Sequence, residues 1–155
     1  MMPTYEWLCR QIVDNCQDAI IVADREGVIH LWNSGAETMF GYWAQEALGQ
    51  SLDLIIPERL RERHWKGYSN TMTTGITRYD RQVLAVPAIR KDGSRISIEF
   101  TIVLLRDERG ELLGPAAIIR DVTARWEREK TTAKRLAELE GIVKKARNDQ
   151  AKTSV

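Results

Sequence analysis

Two histidines and two cysteines are the side chains of this 155-residue chain best suited to metal or redox chemistry. His64 lies in a predicted helix over about residues 58–72, and it shares one mostly apolar face with Leu60, Gly67, Tyr68 and Thr71. A neutral imidazole in an apolar slot is a good ligand for iron. A histidine flanked by Arg63 and Lys66 is also often a solvated helix residue, so the residues alone leave both interpretations open.

The other candidates favour structural roles. Cys9 and Cys16 are spaced to share one helix face about 10 Å apart, too far for an internal disulfide. They are expected to pack, with a redox pair between chains as the alternative. His30, beside Trp32 on a predicted strand, is expected to be structural. The sequence shows no glycine-rich phosphate loop, nucleophile motif or clustered metal ligands, so we expect no enzyme activity.

The composition is that of a globular protein, with 43% hydrophobic and 29% charged residues and a net charge of +1. This balance gives no electrostatic reason to bind nucleic acid or an anionic membrane. No apolar stretch is long enough to span a bilayer, and the first residues do not resemble a signal peptide. We therefore expect a soluble, cytoplasmic protein.

The hydrophobic periodicity predicts how these residues are positioned. A helix over residues 4–16 precedes two strands over residues 19–23 and 28–32, and three strands over residues 77–90, 95–105 and 112–122 follow the helix that carries His64. Ser34-Gly35-Ala36-Glu37 has the form of a capping box for a short helix. This order predicts an α+β fold: a five-stranded antiparallel sheet with short helices on one face and an apolar pocket between them.

A long C-terminal helix is predicted from Thr123 to about residue 148. Leu136, Leu139, Val143 and Ala146 occupy a and d positions of two heptads, which could extend a dimer formed elsewhere. The expected organisation is an N-terminal helix (residues 1–17), a core (18–123), this C-terminal helix (124–150) and a frayed tail (151–155).

Several motifs, in order along the chain, resemble those of PAS domains. Asp18-Ala19-Ile20 and the run from Trp32 to Tyr42 are similar to the first half of that family, and Arg90–Ser94 and Ile119–Thr123 to the second. The resemblance covers about residues 10–125. It implies the PAS fold, sensing rather than catalysis, and signal exit at Asp121 and Thr123 into the C-terminal helix.

A narrower resemblance concerns the segment from Ile56 to His64, which is similar to the helix of haem-binding PAS gas sensors of the FixL and DOS types. It implies that His64 is the axial ligand of haem b iron. The positions that hold haem propionates fall at Asn70 and Arg78. The other expected lining residues are Leu60, Tyr68, Leu84, Ile98, Phe100 and Ile102.

The chain departs from that pattern on the distal side of the haem. The distal arginine of the oxygen sensors falls at Leu84, which cannot donate a hydrogen bond, and the methionine ligand of the DOS type falls at Gln82. The resemblance therefore implies an open or water-filled sixth site that favours carbon monoxide or nitric oxide over oxygen. Flavin is not expected, because both cysteines precede the core.

The expected function is sensing of a diatomic gas or a redox state by bound haem. The signal would pass through the C-terminal helix of a homodimer, formed by the flanking helices, to a separate effector protein. Two alternatives stay open: a cofactor-free PAS dimerisation module, and a PAS pocket for an apolar small molecule that uses the same lining without His64.

Overall fold

The computed structural model describes residues 1–77 and 84–153. The elements in chain order are α1 (Tyr5–Asn15), β1 (Ala19–Ala23), β2 (Ile29–Trp32), α2 (Ser34–Phe40), α3 (Ala44–Ala47), a 3-10 turn (Leu52–Leu54), α4 (Glu58–Thr74), β3 (Leu84–Ile89), β4 (Arg95–Arg106), β5 (Leu112–Asp121) and α5 (Thr123–Thr153). The chain divides into two compact units, Met1–Val122 and Thr123–Val155. No helix in the described ranges is long and apolar enough to cross a membrane.

The five strands form one antiparallel sheet in the order β2-β1-β5-β4-β3, which confirms the predicted fold class. Strand β4 shows why the sheet forms: Ile96 and Ile98 point to the buried side, while Arg95 is exposed at the start of the strand. Pro87 lies on the edge strand β3, where the missing N–H of proline is tolerated.

The hydrophobic core lies between the sheet and the short helices α2 and α3. Phe40 and Ile29 are its largest fully buried side chains. The ring of Trp32 packs at 5.5 Å from that of Phe40, measured between centroids. The other buried members of the core cluster are Ala19, Ile21, Ala36, Met39, Ala47, Ile55, Ala88, Ile96, Ile98 and Ile119.

Three boundaries differ from the predictions. The N-cap of α2 is Asn33, not Ser34, because the Asn33 side chain accepts a hydrogen bond from the backbone N–H of Ala36. Thr77 precedes β3 rather than starting it, and residues 78–83 lie outside the described residues. The C-terminal helix, predicted to about residue 148, continues as α5 to Thr153.

Candidate functional site around His64

His64 is carried by α4, a 17-residue helix that starts after Pro57 and ends at Thr74, with Gly75 as its C-cap. Proline before the first helical residue and a left-handed glycine after the last are typical helix boundaries. Met72 is the one buried residue of α4, with 7% of its surface exposed. A helix of this length that buries so little apolar surface must be positioned by other contacts.

Hydrogen bonds attach α4 to the segment that precedes it. The indole Nε1 of Trp65 donates to the carboxylate Oδ1 of Asp53 at 2.8 Å. The guanidinium of Arg61 donates to the backbone carbonyl of Asp53 at 3.1 Å and to that of Ile56 at 3.2 Å. The first half of α4 is therefore tied to the 3-10 turn.

Further contacts attach α4 to the turn between β1 and β2. The hydroxyl of Tyr68 donates to the backbone carbonyl of Asp24. The ring of Trp65 covers Gly27, where an added Cβ would lie 2.2 Å from a ring carbon and where φ is +81°. Only glycine adopts this positive φ without strain and also lacks the Cβ that would clash with the ring. Trp65 and Tyr68 thus anchor the helix on the β1–β2 side.

The imidazole of His64 is half-buried and lies beside these two anchors. Its ring centroid is 4.9 Å from that of Trp65 and 5.7 Å from that of Tyr68. Its Nδ1 atom is buried and has no hydrogen-bond partner among the described residues. A buried polar atom without a partner costs about 1–3 kcal/mol, so it calls for an explanation.

Burial lowers the pKa of His64 from its usual value, because desolvation disfavours the charged ring. The carboxylate of Asp53 opposes this shift but is the smaller cause. The ring is therefore neutral at pH 7, the form in which a histidine nitrogen can bind a metal. A buried, unpartnered nitrogen on a neutral ring is a donor that would suit haem iron, the group that the resemblance implies.

The inner face of β4 supplies apolar surface for a ligand. Ile98 is buried within the core, whereas Phe100 and Ile102, on the same side of the strand, are only half-buried. The backbone of Leu84 pairs with that of Phe100 in the sheet register. Among the described residues, the side chains of Phe100 and Ile102 on the inner face of β4 are therefore only partly covered by other residues.

The other predicted site residues differ in how far they are buried. Leu60 is half-buried one turn before His64, while Asn70 is exposed near the end of α4. Gly67 is exposed, and an added Cβ there would meet no atom within 4 Å, so the space beside it is open. The expectations for Arg78 and Gln82 lie outside the described residues.

The first of the two predicted exit residues, Asp121, is held by an ion pair. The guanidinium of Arg90 donates to the Asp121 carboxylate at 2.8 Å and to the backbone carbonyl of Met39 at 2.9 Å. The N–H of Val122 donates to the carbonyl of Ser97 at 2.8 Å. The end of β5 is thereby tied to the end of α2 and to β4, just before α5 begins at Thr123.

Asn33 is a central residue that the sequence interpretation missed. Its side chain is buried, with 4% of its surface exposed, and it takes part in five hydrogen bonds. The partners lie in α1, in the α1–β1 connection, in β1 and in α2. An asparagine directly before a predicted short helix is a recognisable cap signal, but its distant partners leave no local signal in the sequence.

Comparisons with known proteins support the observed fold. The family model described as PAS fold matches residues 8–122. The chain is 33% identical over 103 residues to sensor protein FixL of Bradyrhizobium diazoefficiens, covering 64% of this chain and 20% of FixL. It is 25% identical over 118 residues to the oxygen sensor protein DosP of Escherichia coli, covering 76% of this chain and 14% of DosP.

The solved PAS domain of a Colwellia psychrerythraea protein superimposes with a TM-score of 0.68 at 26% identity. That alignment covers 78% of this chain and 99% of the other. In contrast, the chain spans a fifth or less of the length of the two curated sensor proteins, so most of each lies outside the matched region.

Proposed function

This chain belongs to the PAS family and is related to sensor proteins, and we propose that it is a haem-binding domain that senses a diatomic gas or a redox state. It acts by binding rather than by catalysis. The observation that carries the proposal is the buried, unpartnered ring nitrogen of His64. The similarity of this chain to an oxygen sensor protein supports a diatomic gas as the ligand that is sensed.

His64 would hold the haem iron, and haem, when bound, would supply the site at which a diatomic gas binds. The fixed position of α4 matters here, because Trp65 and Tyr68 hold the helix through contacts that do not use the imidazole. The ring of His64 is therefore oriented before any ligand enters. Preorganisation of this kind reduces the ordering cost of binding.

The half-buried side chains of Phe100, Ile102 and Leu60 would cover the apolar faces of the macrocycle. Covering a partly exposed apolar surface is favourable by about 25 cal/mol per Å². Leu84 stands where the related oxygen sensors have a hydrogen-bond donor, and an aliphatic side chain cannot donate. We therefore propose a preference for carbon monoxide or nitric oxide relative to oxygen.

The signal would leave through α5 in a homodimer. Leu136, Leu139 and Val143 form a stripe on α5 with 57%, 45% and 51% of their surfaces exposed. A long helix with an exposed apolar stripe gains most of its stability by pairing, and two heptads suit a second copy of the same helix. The effector would then be a separate domain or protein that responds to this pairing.

The test is haem reconstitution followed by absorption spectroscopy. Wild type incubated with hemin should give a Soret band, and His64→Ala should lose it while its far-ultraviolet circular dichroism stays unchanged. His30→Ala is the matched control, because His30 is exposed and pairs with Asp24 on the surface. It should keep the Soret band.

The alternatives give different results. A wild-type protein that stays colourless after reconstitution but dimerises would favour the cofactor-free module. A colourless protein that is stabilised by an apolar small molecule, equally in the His64→Ala variant, would favour a general apolar pocket. Equal haem affinity in wild type and His64→Ala would refute the ligand assignment.

A further inference from the structure

The C-terminal end of α1 is held by side chains from the corner between β2 and α2. The amide nitrogen of Asn33 donates to the carbonyls of Val13 at 2.9 Å and Cys16 at 3.4 Å. The hydroxyl of Ser34 donates to the carbonyl of Asp14. The last carbonyls of a helix have no partner within it, so these bonds fix where α1 ends on the core.

The same asparagine fixes the backbone of Asp18. Its amide nitrogen also donates to the Asp18 carbonyl, at 3.1 Å. Gly35 packs against this point so closely that an added Cβ would lie 2.3 Å from the Asp18 carbonyl oxygen. Asp18 therefore cannot shift without moving either Asn33 or the first turn of α2.

The side chain of Asp18 is joined to the far end of the chain. Arg120, on β5, donates to its two carboxylate oxygens, from Nε at 3.1 Å and from a terminal nitrogen at 2.7 Å. Two parallel bonds of this kind constrain orientation as well as distance. The pair raises the pKa of Arg120. Arg120 directly precedes Asp121, which carries the ion pair with Arg90.

We infer that Asn33, Asp18 and Arg120 form a polar link that couples α1 to the end of β5. A displacement of α1 is transmitted through the Asp18 backbone to its carboxylate, then to Arg120 and the residues before α5. The domain thus has a second input, at its N-terminal helix, that does not depend on any ligand bound near His64. The strength of the coupling between α1 and the end of β5 is a free energy, so it can be measured.

The experiment is a double-mutant cycle read by hydrogen–deuterium exchange in the full chain without haem. Ile12→Pro disrupts α1 at an exposed position, since proline in a helix interior costs about 3 kcal/mol. It should speed exchange of the amides at residues 118–122 by roughly two- to fivefold. This factor corresponds to the free energy that an exposed ion pair typically contributes. In an Arg120→Gln background the same change should have a clearly smaller effect on those amides, because only the backbone pairing of β1 with β5 then connects the two regions.

Two further variants make the outcome decisive. The charge exchange Asp18→Arg with Arg120→Asp should restore at least part of the response, whereas Arg95→Gln, at an exposed arginine on β4, should leave it intact. If Ile12→Pro does not fold, Thr4→Ala removes the N-cap bond to Trp7 and loosens α1 more mildly. Equal responses in the wild-type and Arg120→Gln backgrounds, or no response in wild type, would overturn the link.

Discussion

Replacing Asn33 with Asp tests whether this buried side chain organises the domain. Aspartate has nearly the same shape, so no cavity forms. Its carboxylate can still accept from the N–H groups of Ile20, at 2.8 Å, and Ala36, at 2.9 Å. It cannot donate to the three carbonyls that the amide nitrogen now contacts. The substitution therefore isolates the donor function of residue 33.

The expected loss can be estimated from the bonds removed. The two shorter donated bonds, to Val13 and Asp18, contribute about 1 kcal/mol each. Leaving these half-buried carbonyls unpaired and facing a negative charge adds about 1–3 kcal/mol. We expect Asn33→Asp to lower the free energy of unfolding by about 3–5 kcal/mol, a large part of the roughly 5–15 kcal/mol of a typical domain.

Urea unfolding followed by tryptophan fluorescence measures this loss. With a slope of about 2 kcal/mol per molar urea, the midpoint should fall by about 1.5–2.5 M at unchanged slope. Asn70→Asp, at an exposed position on α4, is the matched control and should change the unfolding free energy by less than about 0.5 kcal/mol. A loss below about 1 kcal/mol for Asn33→Asp would show that the donated bonds do not hold α1 to the core.

Two further predictions concern His64 and α5. Because burial lowers the pKa of His64, the unfolded chain binds more protons than the folded one below the usual value of 6.5. The free energy of unfolding of the haem-free protein should therefore fall as the pH drops through 6.5. Urea titrations at pH 7 and pH 5 measure this fall, which should be smaller in His64→Leu. An unchanged pH dependence in that variant would contradict the buried state of the ring. For α5, Leu139→Glu should weaken the dimer by more than about a hundredfold in sedimentation experiments, since each copy loses a buried leucine. Ala137→Glu, outside the apolar stripe, should not, and a monomeric wild type would refute the proposed pairing.

Local pattern was enough to predict most of the elements. The strand predicted over residues 19–23 matches β1, and those predicted over residues 28–32 and 95–105 match β2 and β4 within one residue. The predicted helix over residues 58–72 matches α4 within two residues at its C-terminal end. Local pattern does not distinguish Asn33 from Ser34 as the N-cap of α2, because serine and asparagine are both good caps and the two positions are adjacent.

Long-range polar contacts could not be predicted in this way. Arg120 and Asp18 are separated by 102 residues, and nothing in either local segment identifies the other as its partner. The same holds for Arg90 and Asp121, whose pairing depends on how two strand ends and α2 meet. Resemblance to a family suggested that Asp121 is an exit residue, but not which side chain fixes it.

The amino-acid sequence by itself determined the five strands, the flanking helices and the apolar face of β4, because hydrophobic periodicity is a property of neighbouring residues. Tertiary structure alone decided that Asn33 joins four segments, that Trp65 and Tyr68 fix α4, and that a nitrogen of His64 is buried without a partner. Hydrogen bonds and burial depend on the distances between atoms that the fold brings together. Those distances exist only once the sheet has closed against its helices.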